Sequence, residues 1–308
     1  MSPTRKGCPV AGERYLVVTA DDFGIGPAVT DGILDLASGG LVTASVLLVN
    51  SPYAEDALKK WRARGSRMEL GWHPCLTLDR PVAPASSVPS LVGDNGCFWP
   101  LGLFIRKLIL GHIRDNEIAV ELRAQYALCR EMLGQSPAVV NFHHHLQVFH
   151  SIGAILRDVL ARDKKLPYLR RIREPLLVTL RIRGARLKRM FLSSMGKREA
   201  ERQAREGFPG NEWLIGITDP PYVDEPNFFL RWLQQVPGRM VELGCHPGYR
   251  DLSLIGRDCT AHDGHVQRRF SELNLLQHHT FKDACLRAGF ELISPSQATR
   301  ILGYARAA

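Results

Sequence analysis

The chain has 308 residues, 45% of them hydrophobic and 23% charged, with a formal net charge of +9. That is a globular composition, long enough for one large α/β domain or two smaller ones. There is no run of about 18 uncharged apolar residues, which argues against a membrane span. The opening MSPTRKGCPVAGERYLVV enters a strand without an apolar leader, which argues against secretion.

YLVVTA (15–20) predicts a short buried strand. It runs into the pair Asp21-Asp22 and then a helix over 27–37 with Pro27 at its first position. TASVLLV (43–49) predicts a second strand, followed by a helix over 53–63 and a third strand, MELGW (68–72), that stops just before His73. A Pro/Ser/Gly-rich loop (79–100) precedes a helix over 115–133. AVVNF (138–142) is the fourth strand and leads into an unbroken row, His143, His144 and His145, with a helix over 151–162 behind it. LPYLR (166–170) is the fifth strand and ends on Arg170. From Arg162 to Glu206 there are 15 Lys/Arg against 5 Asp/Glu, leaving 25 against 26 elsewhere, so one basic segment accounts for the high charge. A helix over 226–235, a strand RMVELGC (239–245) ending before His246, a helix over 265–288 and a last strand FELIS (290–294) complete the chain. Repeated β–α units with strands apolar on both faces predict one parallel sheet, barrelled or doubly wound, with no domain boundary. The seven cysteines are scattered without a CxxC pair, so neither a disulfide framework nor a structural zinc site is expected and a reducing, cytoplasmic setting is.

Position carries the functional signal. Asp21-Asp22, His73, the 143–145 row, Arg170 and His246 each lie at or just past the C-terminal end of a predicted parallel strand. In a barrel those ends converge on one face, where active sites are built. Each residue has a plainer reading: Asp-Asp as a turn or helix cap, His73 as a satisfied histidine, His246 as a turn residue before Pro247-Gly248. Three adjacent imidazoles are harder to dismiss, because burying them is costly without hydrogen bonds or a metal. On an extended strand His143 and His145 would share one face and His144 the other. Asp with two His and open positions is the donor set of a hydrolytic Zn, Mg, Mn or Fe site. A neighbouring carboxylate supplies a general base and a histidine a proton donor, a set suited to amide hydrolysis.

VVTADDFGIGPAVTDGI, GLVTASVLLVN, LGWHPCL, the NFHHH row and ELGCHPGY, taken in order, resemble the YdjC-like carbohydrate deacetylases, which include the chitooligosaccharide deacetylases. The resemblance runs from about residue 15 to 297. LRRIREP (169–175) and RRFSELNLL (268–276) look most like the members associated with hopanoid biosynthesis, which are linked to removal of the acetyl group from an N-acetylglucosamine headgroup on a hopanoid lipid. The resemblance implies a single-domain deformed (β/α) barrel spanning 1–308, with Asp22, His73 and His143 as ligands of one divalent metal. Zn or Mg come first as that metal, then Mn, Fe, Co or Ni. It also implies Asp21 as general base, His246 as general acid or oxyanion partner, and Arg170 orienting the base or substrate. His145 is left as a supporting or substrate contact and His144 as structural. The chain departs from the family pattern at Asn141-Phe142, where Asp-Ser is usual, at Gln147, where a further His is common, and at Trp72 and Pro74 around His73.

The substrate expected is an N-acetylated glycolipid, a hopanoid above all, with soluble chitooligosaccharides as the alternative. A non-catalytic carbohydrate or lipid binder is a third reading, against which the intact Asp21-Asp22 pair speaks. In the basic segment 176–206, Leu176, Leu180, Leu187, Met190, Phe191 and Met195 form an apolar stripe flanked by Lys and Arg. It reads either as an amphipathic helix packed on the barrel or as a lid resting on anionic lipid at the inner face of the membrane. No nucleic-acid motif accompanies it, and a homodimer is compatible with everything above. Trp72, Phe98, Trp99 and Trp213 are candidates for sugar or lipid contact.

Overall fold

A computed structural model describes residues 14–225 and 227–303; Cys8, the rest of the N-terminal stretch, Pro226 and the last five residues lie outside them. In chain order the elements are β1 (Arg14–Phe23), α1 (Pro27–Ser38), β2 (Ala44–Leu47), α2 (Ala54–Ala63), β3 (Glu69–Trp72), α3 (Leu101–Ile109), α4 (Asp115–Leu133), β4 (Val139–Val140), α5 (His150–Leu160) and β5 (Tyr168–Leu169). They continue with α6 (Leu176–Arg181), α7 (Arg186–Arg205), β6 (Trp213–Ile215), α8 (Phe228–Gln235), β7 (Met240–Cys245), α9 (His265–Gln277), α10 (His279–Arg287), β8 (Phe290–Leu292) and α11 (Pro295–Ile301).

All strand pairings are parallel, along the path β5-β4-β3-β2-β1-β7-β6, with β8 added to the start of β1. The central strand β1 is buried on both sides through its last eight residues, as a parallel strand covered by helices must be. The path curls until its ends meet. Leu169 donates to the Pro209 carbonyl at 2.8 Å and Leu214 to the Arg173 carbonyl at 2.7 Å. The Asn211 amide bonds the Arg171 backbone in both directions at 2.8 Å. These contacts bridge β5 to β6 and close a single-domain deformed (β/α) barrel.

The expected strands are all present, several of them shorter. The 138–142 segment pairs only through Val139–Val140, because the chain turns immediately afterwards. One strand, β6, has no counterpart in the sequence reading: WLI is too short to stand out between Pro/Gly-rich connections. Helix α3 follows directly on the loop that ends at Pro100. The helix expected over 265–288 is two helices, broken at His278, whose extended backbone and side chain cap α10.

Candidate active site

The C-terminal ends of β1, β3, β4, β6 and β7 meet at a cavity of about 300 Å³, within the size range of small-ligand sites; Arg170, after β5, stands behind Asp21 and does not line it. Asp21, Asp22, His73, His143, His144, His145 and His246 all line it.

Adjacent side chains on a regular strand point to opposite faces. Asp21 and Asp22 escape that rule because β1 is irregular where it ends. Its pairing with β2 shifts register between Ala20 and Phe23, and Asp22 has a left-handed backbone, φ 65°. A non-glycine residue held there is strained, and such strain gathers at functional sites. The histidine row is likewise not extended. It forms a 3₁₀ turn in which His144 (φ 56°) and His145 (φ 58°) are both left-handed. The strand-based expectation that His144 points away is therefore corrected: the turn brings all three rings to the cavity, with the His143 and His144 centroids 3.9 Å apart.

Asp22 Oδ1, His73 Nε2 and His143 Nδ1 form a nearly equilateral triangle with sides of 3.2, 3.1 and 3.3 Å. Ligand atoms about 2.0–2.1 Å from one tetrahedral ion are separated by about 3.3–3.4 Å. His73 Nδ1 donates to the Asn141 carbonyl at 2.7 Å. In neutral His73 this leaves a lone pair on Nε2, directed at a carboxylate oxygen, an approach that is repulsive unless a cation lies between the two atoms. On the far side of His143, Nε2 has no hydrogen-bond partner among the described residues and lies 3.9 Å from Asp258 Oδ1. Burial opposes the charge on Asp22, yet Arg269 at 2.6 Å and the two imidazoles hold its carboxyl well below the usual range. Burial likewise opposes a charge on His143, and Asp22 outweighs it and raises that pKa. The donor set fits a divalent cation. The further grouping of His143, His144 and Asp258 shares His143, so it is not an independent site.

Beside this triangle, Asp21 is held by Arg170 in a two-pronged ion pair of 2.6 and 2.9 Å and by Asn141 Nδ2 at 3.2 Å. Arg170 also donates to Glu242 at 2.7 Å, and Glu242 accepts from Thr19 at 2.9 Å. Burial alone would weaken the charge on Arg170, but these two carboxylates keep it protonated. His246 Nδ1 lies 3.2 Å from an Arg268 donor, which assigns the proton of neutral His246 to Nε2. That atom is 3.8 Å from Asp21. Burial first, and the charge of Arg268 second, push the His246 pKa well down. Burial also pushes the His145 pKa well down, and its Nδ1 has no partner among the described residues; His144, exposed at the turn, meets Thr77 Oγ1 at 2.9 Å.

The reading from sequence gave no role to Asn141, Asp258, Glu242, Arg268 or Arg269. The available signal was two adjacent arginines in RRFSELNLL, both largely buried on α9, where a charge is tolerated only when paired. Of the four aromatic candidates none lines the cavity. Trp72 and Phe98 are buried in the core, while Trp99 and Trp213 sit beneath Lys107 and Arg173. The phenylalanines that do line it are Phe142, Phe149 and Phe191.

The family model for YdjC-like protein matches residues 15–287. Chitooligosaccharide deacetylases of Yersinia pestis (strain Pestoides F) and Yersinia pseudotuberculosis (serotype O:1b, strain IP 31758) are each 28% identical over 281 residues, covering 91% of this chain and 97% of theirs. A crystal structure of an Enterococcus faecalis V583 protein with a proposed role in cellobiose-phosphate cleavage superposes with a TM-score of 0.72. It is 24% identical, over 93% of this chain and 99% of that one, a likeness of fold.

Proposed function

Since this chain belongs to the YdjC-like protein family, we propose that it is a metal-dependent N-deacetylase that hydrolyses the acetamide of an N-acetylglucosamine unit. The observation that carries this is the triangle of Asp22, His73 and His143 set against the arginine-clamped Asp21. Those three residues would hold the cation. Two imidazoles favour Zn over Mg, which prefers an all-oxygen shell. When bound, the ion polarises the acetyl carbonyl and acidifies a water. Asp21, fixed in orientation by Arg170 and Asn141, takes the proton of the attacking water and returns it to the leaving nitrogen. Neutral His246, with Nδ1 engaged by Arg268, offers Nε2–H to the developing oxyanion. That favours the oxyanion partner over the general acid, since a neutral imidazole is a poor proton source.

The finer proposal is a lipid-linked sugar, with a hopanoid as the lipid that the family resemblance implies. Its support is the cavity lining, where Leu101, Ile105, Leu146, Val148, Phe149 and Leu192 accompany the polar groups. Soluble chitooligosaccharide is the second reading, favoured by the names of the Yersinia relatives. Acetate release by zinc-loaded protein tests both, using chitooligosaccharides and an N-acetylglucosaminyl lipid in mixed micelles. Release from either is expected, with a loss of about 10²–10⁴-fold in Asp21→Asn. No release from any N-acetylglucosamine conjugate sinks the enzyme reading. Release from chitooligosaccharides alone sinks the lipid one.

A further inference from the structure

Helix α7 buries two of its charged side chains and leaves several of its large apolar ones outside. Its buried residues are Arg189, Leu192, Gly196, Glu199, Ala200 and Gln203, and the charged ones are paired: Arg189 with Glu174, Glu199 with Arg157. Leu187, Met190 and Phe191 instead face outward, with Leu187 83% and Phe191 57% exposed. Leu177 on α6 is 63% exposed and Ile109 at the end of α3 is 74% exposed. Isolated exposed apolar residues are ordinary, but a group of them on neighbouring elements marks an interaction surface. Both α3 and α7 line the candidate catalytic cavity, through Leu101 and Ile105 and through Phe191 and Leu192.

The charge on these segments has one sign. Residues 101–114 hold three Lys/Arg and residues 176–198 hold seven, with no Asp or Glu in either. Arg106, Arg181, Arg183 and Arg186 are exposed and form no ion pair among the described residues. A second copy of this chain would bring like charges face to face, and a nucleic acid would leave the leucines unused. Outward apolar side chains among unpaired arginines suit the headgroup–acyl boundary of an anionic bilayer.

We infer that α3, α6 and the start of α7 form a surface that docks on anionic lipid and holds the mouth of the cavity against the membrane. No helix among the described residues is long and apolar enough to cross a membrane, so the contact is peripheral. The inference rests on the glycolipid reading above, but vesicle flotation is measured without catalysis, so the two fail separately.

The test is flotation of the full chain with vesicles of phosphatidylcholine alone or mixed with phosphatidylglycerol, in low and high salt. The wild type is expected to float with the anionic vesicles and to be weakened by salt. The double variants Leu177→Glu/Leu187→Glu and Arg183→Glu/Arg186→Glu are each expected to lose at least about tenfold in binding, with unchanged melting curves. The inference is overturned if the wild type does not float, if both folded variants float as it does, or if sedimentation reveals a dimer that Leu187→Glu dissociates.

Discussion

At Asp22 a single backbone angle decides what the site can be. Were β1 regular to its end, Asp21 and Asp22 would face opposite ways, and a metal ligand and a base could not share one cavity. The polar neighbours of the pair divide in the same manner. Asn141 touches the base through its side chain and His73 through its carbonyl. Asn141→Leu should therefore lower kcat about tenfold or more while zinc affinity, measured by calorimetry, stays unchanged. An equal loss of zinc affinity would mean that the carbonyl moved as well. Asp258 is the opposite case. It stands behind His143 Nε2 and pairs with Arg269 at 3.2 Å, as the carboxylate behind a metal-bound histidine does. Asp258→Ala should weaken zinc binding about 10–100-fold, and unaltered affinity would remove it from that role.

The elements differ in how far they could be read from sequence. Strands that showed as largely apolar segments of five to seven residues between helical patterns were legible, and so was the placement of Asp21, Asp22, His73, Arg170 and His246 at their ends, because segment composition and strand polarity are local properties. The three-residue β6 was not, since so short a run resembles any loop. The histidine row was misread in conformation, because two successive left-handed residues are fixed by tertiary contacts such as His144 with Thr77, not by propensity. The seating of α7 was also hidden: Arg189 and Glu199 go inward only because Glu174 and Arg157 wait to pair with them. Gly196 marks how closely that helix lies on the barrel. A Cβ there would stand 2.1 Å from the Ile172 carbonyl oxygen, a contact with backbone that cannot rotate away. Gly196→Ala should destabilise the protein by about 1–3 kcal/mol, as overpacking does, and lower its melting temperature. A variant as stable as the wild type would show that α7 can lift off its seat.

For the molecule as a whole, the cation site joins parts of the chain that lie far apart, Asp22 in the last residues of β1, His73 after β3 and His143 after β4. A donor set assembled only on folding makes metal binding part of the folding free energy. Zinc at about 100 times its dissociation constant should add about 2.7 kcal/mol to the native state, and for a chain of this size that is a rise in melting temperature of several degrees. Asp22→Asn provides the control. It removes one corner of the triangle, while Arg269 keeps Asp258 as its partner, so the interior retains a compensated charge. Melting curves should thus show a zinc-dependent rise, reversed by chelator, in the wild type and in Asp21→Asn, but little or none in Asp22→Asn. A rise of equal size in Asp22→Asn would place the bound zinc elsewhere in the protein. Loss of the rise in Asp21→Asn would mean that Asp21 ligates the ion and is not the base beside it.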